Sequence, residues 1–289
     1  MSSAANLDMV IAHEKYDLML GRLRAMGSML VAFSGGVDSA LLLHAAHTAV
    51  GERAVAATGL SETYAAEEMT DAREIAAEIG CEHIVVSTME LTDPRYADNT
   101  HQRCFFCKSE LYTRLRQVAE ERELRVVIDG TNADDASDFR PGMRAAVELG
   151  VISPLLEAGL SKIEIRSLAL DFGLRIWNKP AAACLSSRFS YGDPITVEKL
   201  RRVAAAETAL RRLGFRGFRV RHHESVARLE VAADQMVEVL ARATELVAAV
   251  KEAGYQYVSL DLEGYRAGSA NEVLNARLQS GGLRRPRAL

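Results

Sequence analysis

MLVAFSGGVDS, residues 29–39, is the stretch that decides the fold of this chain. An apolar run of strand-forming length leads into a serine, two adjacent glycines and residues that suit the first turn of a helix. A strand that turns sharply into a helix aims several backbone N–H groups at one point, where the positive end of the helix dipole adds to them. Glycine permits both the tight turn and the close approach of a ligand. We therefore predict an anion-binding loop.

The side chains of this loop are hydroxyl donors and one acid. Ser34 and Ser39 could donate to anionic oxygens, and neither Gly35 nor Gly36 has a Cβ to obstruct them. A carboxylate beside an anion is expected where it binds a cation such as Mg²⁺ or caps the helix, and Asp38 is the candidate for both roles. The loop lacks the Gly-Lys-Ser/Thr ending of a Walker A motif, so GTPase-like phosphoryl transfer is not implied.

Strand-like and helical segments alternate after this loop. We predict strands at 29–33, 54–60, 83–87 and 125–130, and helices over about 38–50, 63–79 and 108–122. Repeated β-α units predict an α/β fold, a parallel sheet with helices on both faces. Such sheets bind ligands at the carboxyl ends of their strands, where the loop, Ser61 and the turn containing Gly130 fall.

The pattern changes after residue 194. The predicted elements there are a charged helix over 196–213, a strand pair at 218–224 and 226–231, a long helix over 234–252 and a last strand at 257–262. We predict two domains, with residues 1–194 forming the α/β domain. Residues 195–289 would form a small α+β domain that serves substrate binding or oligomerisation.

Composition excludes several classes of partner. The chain has 289 residues, a formal net charge of −4 and no apolar stretch near the ~18 residues that a membrane span needs. Its beginning lacks the charged, apolar and small-residue pattern of a secretory leader. We expect a cytoplasmic protein with no membrane partner. The negative balance argues against nucleic acid spread over the surface.

Four cysteines are too few and too irregularly spaced for a disulfide framework in a cytoplasmic chain. Cys81 follows a helix end and is expected to be a small packed residue. Cys104 and Cys107 form a C-x-x-C pair just before a predicted helix, and Cys184 follows Lys-Pro and three alanines. A redox pair, a metal site and a cluster all remain open. Three cysteines suit a [4Fe–4S] cluster with one open iron better than a four-ligand zinc site.

The hexapeptide SGGVDS after an apolar strand closely resembles the loop of the PP-loop ATP pyrophosphatases. The resemblance implies that the loop binds the pyrophosphate part of ATP, with Mg²⁺ at Asp38. It implies that AMP is placed on a substrate oxygen and is then displaced by a nucleophile. The implied nucleotide-binding residues are Ala32, Ser34, Gly35, Gly36, Asp38, Ser39, Ser61 and Gly130.

Longer blocks resemble the LarE family, ATP-dependent sacrificial sulfur transferases that help to build the nickel-pincer nucleotide cofactor. They are WNKPAAACLSSRFSYG (177–192), DGTNADDASDFRPG (129–142), ETALRRLGF (207–215), FRVRHHESVARLE (218–230) and YVSLDLEGYRAGS (257–269). The resemblance implies adenylation of a carboxylate of a pyridinium dicarboxylate mononucleotide and insertion of sulfur to form a thiocarboxylate. A homo-oligomer and an outside source of sulfide or another sulfur donor are also implied.

The family uses two mechanisms. In one, a single cysteine gives up its own sulfur and becomes dehydroalanine; in the other, three cysteines hold a [4Fe–4S] cluster that can carry sulfide repeatedly. The presence of Cys104 and Cys107 beside Cys184 makes this chain resemble the second kind. In the first kind, Cys184 would be the expendable donor.

Arginines are the candidates for binding the substrate, because the guanidinium fork suits phosphate and carboxylate. Strand alternation puts Arg219 and Arg221 on one face, and Arg188 follows Ser187 close to Cys184. The resemblance adds Glu207 to the residues that line the sulfur-transfer pocket.

Other polar residues keep two interpretations. Asp134, Asp135 and Asp138 could meet Mg²⁺ or an entering substrate, or could simply be solvated. His222 and His223 are adjacent on a strand and point to opposite faces, so we do not expect them to share a metal ion.

Three other functions compete with sulfur insertion. A cluster-dependent tRNA thiolase shares the loop and a three-cysteine site, but the acidic balance and the missing zinc-finger cysteine pairs count against it. An ammonia-using synthetase of the NAD or GMP kind would have no use for the three cysteines. A nucleotide-binding regulatory module would release no pyrophosphate from ATP.

Overall fold

The structure of the protein is a computed structural model that describes residues 3–64, 66–137, 141–180 and 183–266. The chain divides into two compact units between residues 182 and 183. The functional boundary after residue 194 stays a prediction. Among the described helices, none has the length and the apolar character that crossing a membrane requires.

The first unit is built on a parallel sheet. Its described strands are β1 (Met29–Ala32), β2 (Ala54–Leu60), β3 (Glu82–Ser87) and β4 (Val126–Asp129). They lie in the order β3-β2-β1-β4, and every pairing is parallel. Ala32 at the end of β1 pairs with both Ala57 and Asp129, so the segments after β1 and β4 leave the same edge of the sheet. The predicted α/β fold with a parallel sheet is confirmed.

Helices flank this sheet. Those that the structure describes are α1 (Ser3–Met26), α2 (Val37–Val50), α3 (Ala66–Ile79), α4 (Pro94–Ala97), α5 (Arg103–Glu121), α6 (Pro141–Glu148), α7 (Pro154–Glu157) and α8 (Lys162–Asp171). The predicted start of α5 at residue 108 is wrong, because the helix begins at Arg103. The buried Arg103 side chain donates to Asn99 Oδ1 at 2.5 Å and anchors this extra turn. Cys104 and Cys107 therefore lie inside the helix rather than before it.

Side chains of β1 alternate between two apolar cores. Met29 and Val31 pack into a core that contains residues of α1, α2 and α8. Leu30 packs into a second core that contains residues of α5 and α6. A strand that is buried on both faces needs apolar residues at every position, which is why this part of the sequence reads as a continuous hydrophobic run.

The second unit carries a small sheet with helices. Its described strands are β5 (Arg219–His223), β6 (Val226–Glu230) and β7 (Tyr257–Leu260), and its helices are α9 (Val197–Arg212), α10 (Met236–Ala241) and α11 (Ala243–Glu252). The strands lie in the order β5-β6-β7, with β5 antiparallel and β7 parallel to β6.

The single long helix predicted over 234–252 is wrong, because it is interrupted at Arg242. This residue has φ −107° and ψ 22°, outside helical geometry, and it separates α10 from α11. Its guanidinium donates to the Leu213 carbonyl at 2.8 Å and pairs with Glu238 and Glu245, both at 3.0 Å. Apolar spacing continues through the break, so periodicity alone could not reveal it.

Candidate active site

The loop between β1 and α2 has a backbone that favours glycine. Gly35 has φ +69°, in the left-handed region, and an added Cβ would lie 3.1 Å from the Cβ of Ala72. Gly36 is the N-cap of α2, with no side-chain capping hydrogen bond. The backbone N–H groups of the first turn therefore keep their partial positive charge available to an anion.

Hydroxyl groups stabilise this loop. Ser34 Oγ and Ser39 Oγ lie 3.1 Å apart, and Ser39 Oγ donates to the Gly36 carbonyl at 3.0 Å. Ser34 Oγ accepts from the Gly36 N–H at 3.3 Å, and the Ser34 carbonyl accepts from the Tyr64 hydroxyl at 3.0 Å. Ser34 is exposed and Ser39 is buried, so the two hydroxyls line the loop at different depths.

Gly130 packs directly against the start of α2. An added Cβ would lie 3.0 Å from Ser39 N and 3.1 Å from Ser39 Cα. Both atoms belong to the helix backbone, so the clash could be relieved only by moving the loop or the strand end. This contact brings the turn after β4 to the loop after β1.

Asp38 is the acidic side chain of the loop, in the first turn of α2. Its Oδ2 pairs with the Lys162 ammonium, whereas its Oδ1 is buried without a hydrogen-bond partner. Burial raises the pKa of Asp38, an effect that the hydrogen bond and the charge of Lys162 oppose. A buried carboxylate oxygen without a partner beside the glycine loop fits the preference of Mg²⁺ for oxygen ligands.

A second lysine contacts the loop. Lys179 Nζ lies 3.4 Å from the Gly35 carbonyl and pairs with Glu68 at 2.9 Å and Asp71 at 2.7 Å, both on α3. Burial disfavours its charge, but the hydrogen bonds with Asp71 and Glu68 outweigh this and raise the pKa of Lys179. The side chain is therefore a fixed positive charge beside the loop.

Ser61 belongs to a polar cluster after β2. Its hydroxyl donates to Glu90 Oε1 at 2.5 Å, and the Thr63 hydroxyl donates to the same oxygen at 2.8 Å. Glu90 and Thr63 are buried. The cluster fixes the chain at the carboxyl end of β2, and the role of Ser61 in nucleotide binding stays a prediction.

A buried carboxylate at the end of β4 joins three elements. Asp129 accepts hydrogen bonds from the hydroxyls of Tyr112 at 2.5 Å, Ser153 at 2.7 Å and Thr131 at 3.0 Å. The Lys108 ammonium lies 5.1 Å from the centre of the Tyr112 ring. Tyr112 and Asp129 raise the pKa of Lys108 despite its burial. The network therefore links the carboxyl end of β4 to α5, the helix of the C-x-x-C pair.

Cys104 and Cys107 are three residues apart near the start of α5 and share one face of that helix. Cys104 is exposed and Cys107 is half-buried. After Tyr112 and Asp129, Cys107 is the third group that raises the pKa of Lys108, the next residue of the helix.

The two phenylalanines between these cysteines are held by cations. The guanidinium of Arg144 lies 3.9 Å from the centre of the Phe105 ring, and that of Arg95 lies 4.7 Å from the centre of the Phe106 ring. Cation–π contacts of this kind are attractive and hold the two rings against the guanidinium groups.

Cys184 lies in the second unit, where it is exposed and precedes the 3₁₀ turn Leu185–Arg188. Cys81 is buried, and burial raises the pKa of its thiol to about 11, as expected for an inert packed cysteine. Within the described residues, no group of three or more His, Cys, Asp or Glu side chains is arranged to hold a metal ion. The joint role of Cys104, Cys107 and Cys184 stays a prediction.

Arg188 and Glu207 form a buried ion pair in the second unit. Arg188 Nε donates to Glu207 Oε1 at 2.8 Å and its Nη2 donates to Oε2 at 3.0 Å. Arg188 Nη1 also donates to the Ala183 carbonyl at 2.6 Å, the Cys184 carbonyl at 3.1 Å and Ser187 Oγ at 3.0 Å. Arg188 thus fixes the backbone that carries Cys184.

Arg221 is held in the same way by a second buried acid. Its Nε and Nη2 donate to the two oxygens of Glu230 at 2.9 and 2.8 Å, and its Nη1 donates to the Ser187 carbonyl at 2.7 Å. Burial, together with the charges of Arg188 and Arg221, lowers the pKa of Arg219. The three predicted arginines therefore lie near one another and near Ser187.

The remaining polar residues considered from the sequence are three acids with two interpretations and two histidines that are not expected to share a metal ion. Asp134 Oδ2 accepts from the Lys162 backbone N–H at 2.8 Å, and Asp135 Oδ2 from the Asn132 N–H at 3.1 Å. Asp138 lies outside the described residues. His222 is buried, with Nδ1 3.1 Å from the Tyr255 hydroxyl, and His223 is exposed.

The sequence did not reveal that two lysines, Lys162 and Lys179, contact the loop from elsewhere in the chain. Lys179 precedes a proline in the block 177–192, and Lys162 follows the N-cap serine of α8. Neither position carries a local pattern that indicates contact with a loop more than a hundred residues away.

The class of the protein follows from this geometry and from its relatives. A family model described as "Asparagine synthase" matches residues 17–138, which include the parallel sheet and its glycine loop. The chain is also 29% identical to a glutamine-hydrolyzing GMP synthase component of Archaeoglobus fulgidus, over 51% of this chain and 52% of that protein. The first unit is a PP-loop α/β domain, a class that uses ATP and Mg²⁺.

Two further relatives span nearly the whole chain. An uncharacterized protein of Synechocystis sp. is 47% identical over 85% of this chain and 92% of its own length. Pyridinium-3,5-bisthiocarboxylic acid mononucleotide synthase of Lactiplantibacillus plantarum is 36% identical over 89% of this chain and 93% of its own length. The chain therefore belongs to the LarE family of ATP-dependent sulfurtransferases.

Proposed function

We propose that this protein inserts sulfur into a pyridinium dicarboxylate mononucleotide in the synthesis of a nickel-pincer nucleotide. ATP adenylates a substrate carboxylate, and sulfur then displaces AMP to leave a thiocarboxylate. The observation that carries the proposal is the 36% identity, over 89% of this chain, to an enzyme named for a bisthiocarboxylic acid product.

In the activation step, a carboxylate oxygen attacks the α-phosphorus of ATP and pyrophosphate leaves. The loop provides N–H groups at the start of α2 and the exposed Ser34 hydroxyl for the leaving anion, and the Ser39 hydroxyl would join them by turning away from the Gly36 carbonyl. Asp38 would hold Mg²⁺, which offsets the charge that develops on the departing oxygens. The other proposed nucleotide contacts are Ala32, Gly35, Gly36, Ser61 and Gly130.

The residues that we propose for substrate binding are Arg188, Ser187, Glu207, Arg219 and Arg221. Glu207 and Glu230 fix the guanidinium directions of Arg188 and Arg221. Burial lowers the pKa of Arg219 first, and the charges of Arg188 and Arg221 lower it further; an anionic substrate would offset these charges. Glu207 itself would act by orienting Arg188, because two arginines and a backbone N–H already occupy its oxygens.

The proposed sulfur source is a [4Fe–4S] cluster bound by Cys104, Cys107 and Cys184, which would supply a sulfur atom carried on its open iron. The position of the two α5 thiols on one helix face and their access to solvent support this assignment. In the alternative, the Cys184 thiolate displaces AMP and forms a thioester with the substrate; a base then removes the Cys184 Cα proton, the Cβ–S bond breaks, and a thiocarboxylate and dehydroalanine remain.

Anaerobic purification followed by iron and acid-labile sulfide analysis separates these two sources. The wild-type protein should contain both, Cys107→Ala should lose both, and the matched variant Cys81→Ala should keep them because this buried thiol lies outside the proposed site. Iron that is unchanged in Cys107→Ala, or absent from the wild type, would contradict the cluster. The donor role would then pass to Cys184, whose loss of sulfur after turnover is measurable by mass spectrometry.

An ammonia-using synthetase is the second candidate, favoured by the similarity to a GMP synthase component. The decisive measurement is product mass after incubation with ATP and the pyridinium dicarboxylate mononucleotide. A thiocarboxylate that disappears when Cys104, Cys107 and Cys184 are all replaced by alanine supports sulfur insertion. An amide product that survives this replacement would support the synthetase.

We also propose a homo-oligomer in the cytoplasm, as expected of the family, supplied with sulfide or another sulfur donor. Light scattering during gel filtration tests the assembly. A monomer at working concentration would contradict it.

A further inference from the structure

Lys162 makes a contact beside the loop that the proposed reaction leaves unexplained. Its ammonium pairs with Asp38 Oδ2, across 124 positions of the sequence. Asp38 is the side chain proposed to hold Mg²⁺. In the structure, the Lys162 ammonium therefore pairs with the carboxylate that would bind the metal.

The backbone of Lys162 is firmly anchored. Lys162 is the first residue of α8, and its N–H donates to Asp134 Oδ2 at 2.8 Å. Ser161 before it and Glu164 after it form a reciprocal capping box. The side chain, by contrast, is about a third exposed, at 30%. A fixed backbone with a long, partly exposed side chain allows the ammonium to change partners without moving the helix.

The Asp38 carboxylate is only half satisfied by this contact. Its Oδ1 is buried and lacks a hydrogen-bond partner, and the negative charge of Asp135 acts on the same carboxylate. A buried acceptor without a partner is unfavourable. A divalent cation arriving at Oδ1 would satisfy this oxygen and compete with the ammonium for the charge of the group.

We infer that Lys162 is an exchangeable counter-ion: it pairs with Asp38 while the loop is empty and passes to a phosphate oxygen when ATP brings Mg²⁺ to Asp38. The inference rests on the proposed function, in which the loop binds pyrophosphate and Asp38 binds the metal. ATP with Mg²⁺ delivers both a cation for Asp38 and anions for Lys162. Every charge therefore keeps a partner through the exchange, whereas either ion alone would leave one unpaired.

The exchange makes the metal position bind Mg²⁺ more tightly together with nucleotide than alone. Free Mg²⁺ must displace the ammonium without giving it a new partner, and free pyrophosphate must draw the ammonium away from Asp38. Lys162 is then a positioning residue that couples the two ligands, and such coupling is reciprocal.

Removing the ammonium should have opposite effects on the two ligands. We expect Lys162→Met to bind Mn²⁺, used as a probe for the Mg²⁺ position, about tenfold more tightly than the wild type without nucleotide. The same variant should bind metal-free pyrophosphate, with EDTA present, about tenfold more weakly. Isothermal titration calorimetry measures both affinities, and thermal unfolding checks that the variant is folded.

Two further variants control the measurement. Lys15→Met removes another lysine that pairs with α8, through Glu164 at 2.6 Å, and should change neither affinity. Lys162→Arg keeps the charge and should bind Mn²⁺ as weakly as the wild type. Combining Lys162→Met with Asp38→Asn should abolish the gain in Mn²⁺ affinity.

Unchanged or weaker Mn²⁺ binding in Lys162→Met overturns the inference, as does a gain that persists in the Asp38→Asn background. A loss of both affinities also overturns it, because that result indicates a purely structural lysine. Formation of thiocarboxylate by the wild type is measured separately. If it succeeds while these affinities fail, the exchange is wrong and the proposed function stands.

Discussion

Replacing Glu207 tests whether this carboxylate stabilises the second unit. Its side chain is 1% exposed and accepts from Arg188 at 2.8 and 3.0 Å, from the Val220 N–H at 3.1 Å and from Arg211 at 3.3 Å. Four hydrogen bonds to one buried carboxylate join α9, β5 and the turn after Cys184. We predict that Glu207→Ala destabilises this unit strongly, whatever its effect on substrate binding.

The size of the effect follows from the groups left behind. Removing one partner of a buried ion pair costs about 3–5 kcal/mol. The Val220 N–H also loses its acceptor, which costs about 1–3 kcal/mol. Arg188 keeps its hydrogen bonds to the carbonyls of residues 183 and 184, which offsets part of the loss. We expect a total of about 3–5 kcal/mol, and about half of that for Glu207→Gln, which keeps an acceptor oxygen.

Hydrogen exchange is the appropriate assay, because a chain with two compact units need not unfold in one step. Peptides covering β5 and β6 should lose protection by about two orders of magnitude or more in Glu207→Ala, since each factor of ten corresponds to about 1.4 kcal/mol. Glu198→Ala is the matched control on the same helix. Its side chain is 82% exposed and pairs with Arg202 at 2.9 Å, so its loss should cost less than about 0.5 kcal/mol.

Equal protection in the two variants, combined with lost product formation in Glu207→Ala alone, would refute this reasoning. Glu207 would then be a group that contacts substrate rather than one that orients Arg188.

Two other predictions concern the loop and pH. Gly130→Ala should weaken ATP binding at least tenfold, because the added Cβ would lie 3.0 Å from Ser39 N. Gly21→Ala is the control and should leave ATP binding unchanged, because no heavy atom lies within 4 Å of an added Cβ there. Equal ATP affinities of the two variants in calorimetry would refute this prediction. Burial lowers the pKa of His222 from 6.5. Below pH 6.5 this histidine is therefore protonated in the unfolded chain but still neutral in the folded protein, and the free energy of unfolding falls as the pH drops. His222→Phe should make the hydrogen-exchange protection of β5 and β6 less dependent on pH below 6.5 than in the wild type, and an unchanged dependence would contradict the assignment.

Local signals account for what could be predicted of the fold. The apolar runs of β1 and β2 and the two glycines after β1 belong to short continuous segments, so strand, loop and helix were predictable there. The start of α5 and the break at Arg242 were not predictable. Each depends on a side-chain contact, Arg103 with Asn99 and Arg242 with Leu213, that apolar spacing does not report.

In the candidate site, too, some features could be predicted from short segments of sequence and others depend on tertiary contacts. The sequence by itself determined the glycine loop, its hydroxyls and Asp38, because a turn between a strand and a helix is made of consecutive residues. Only the tertiary structure decided that Lys162 neutralises Asp38, that Gly130 must lack a side chain and that Glu207 is occupied by Arg188. Charge pairing and close packing join residues that are distant along the chain, and their partners are fixed only when the elements come together.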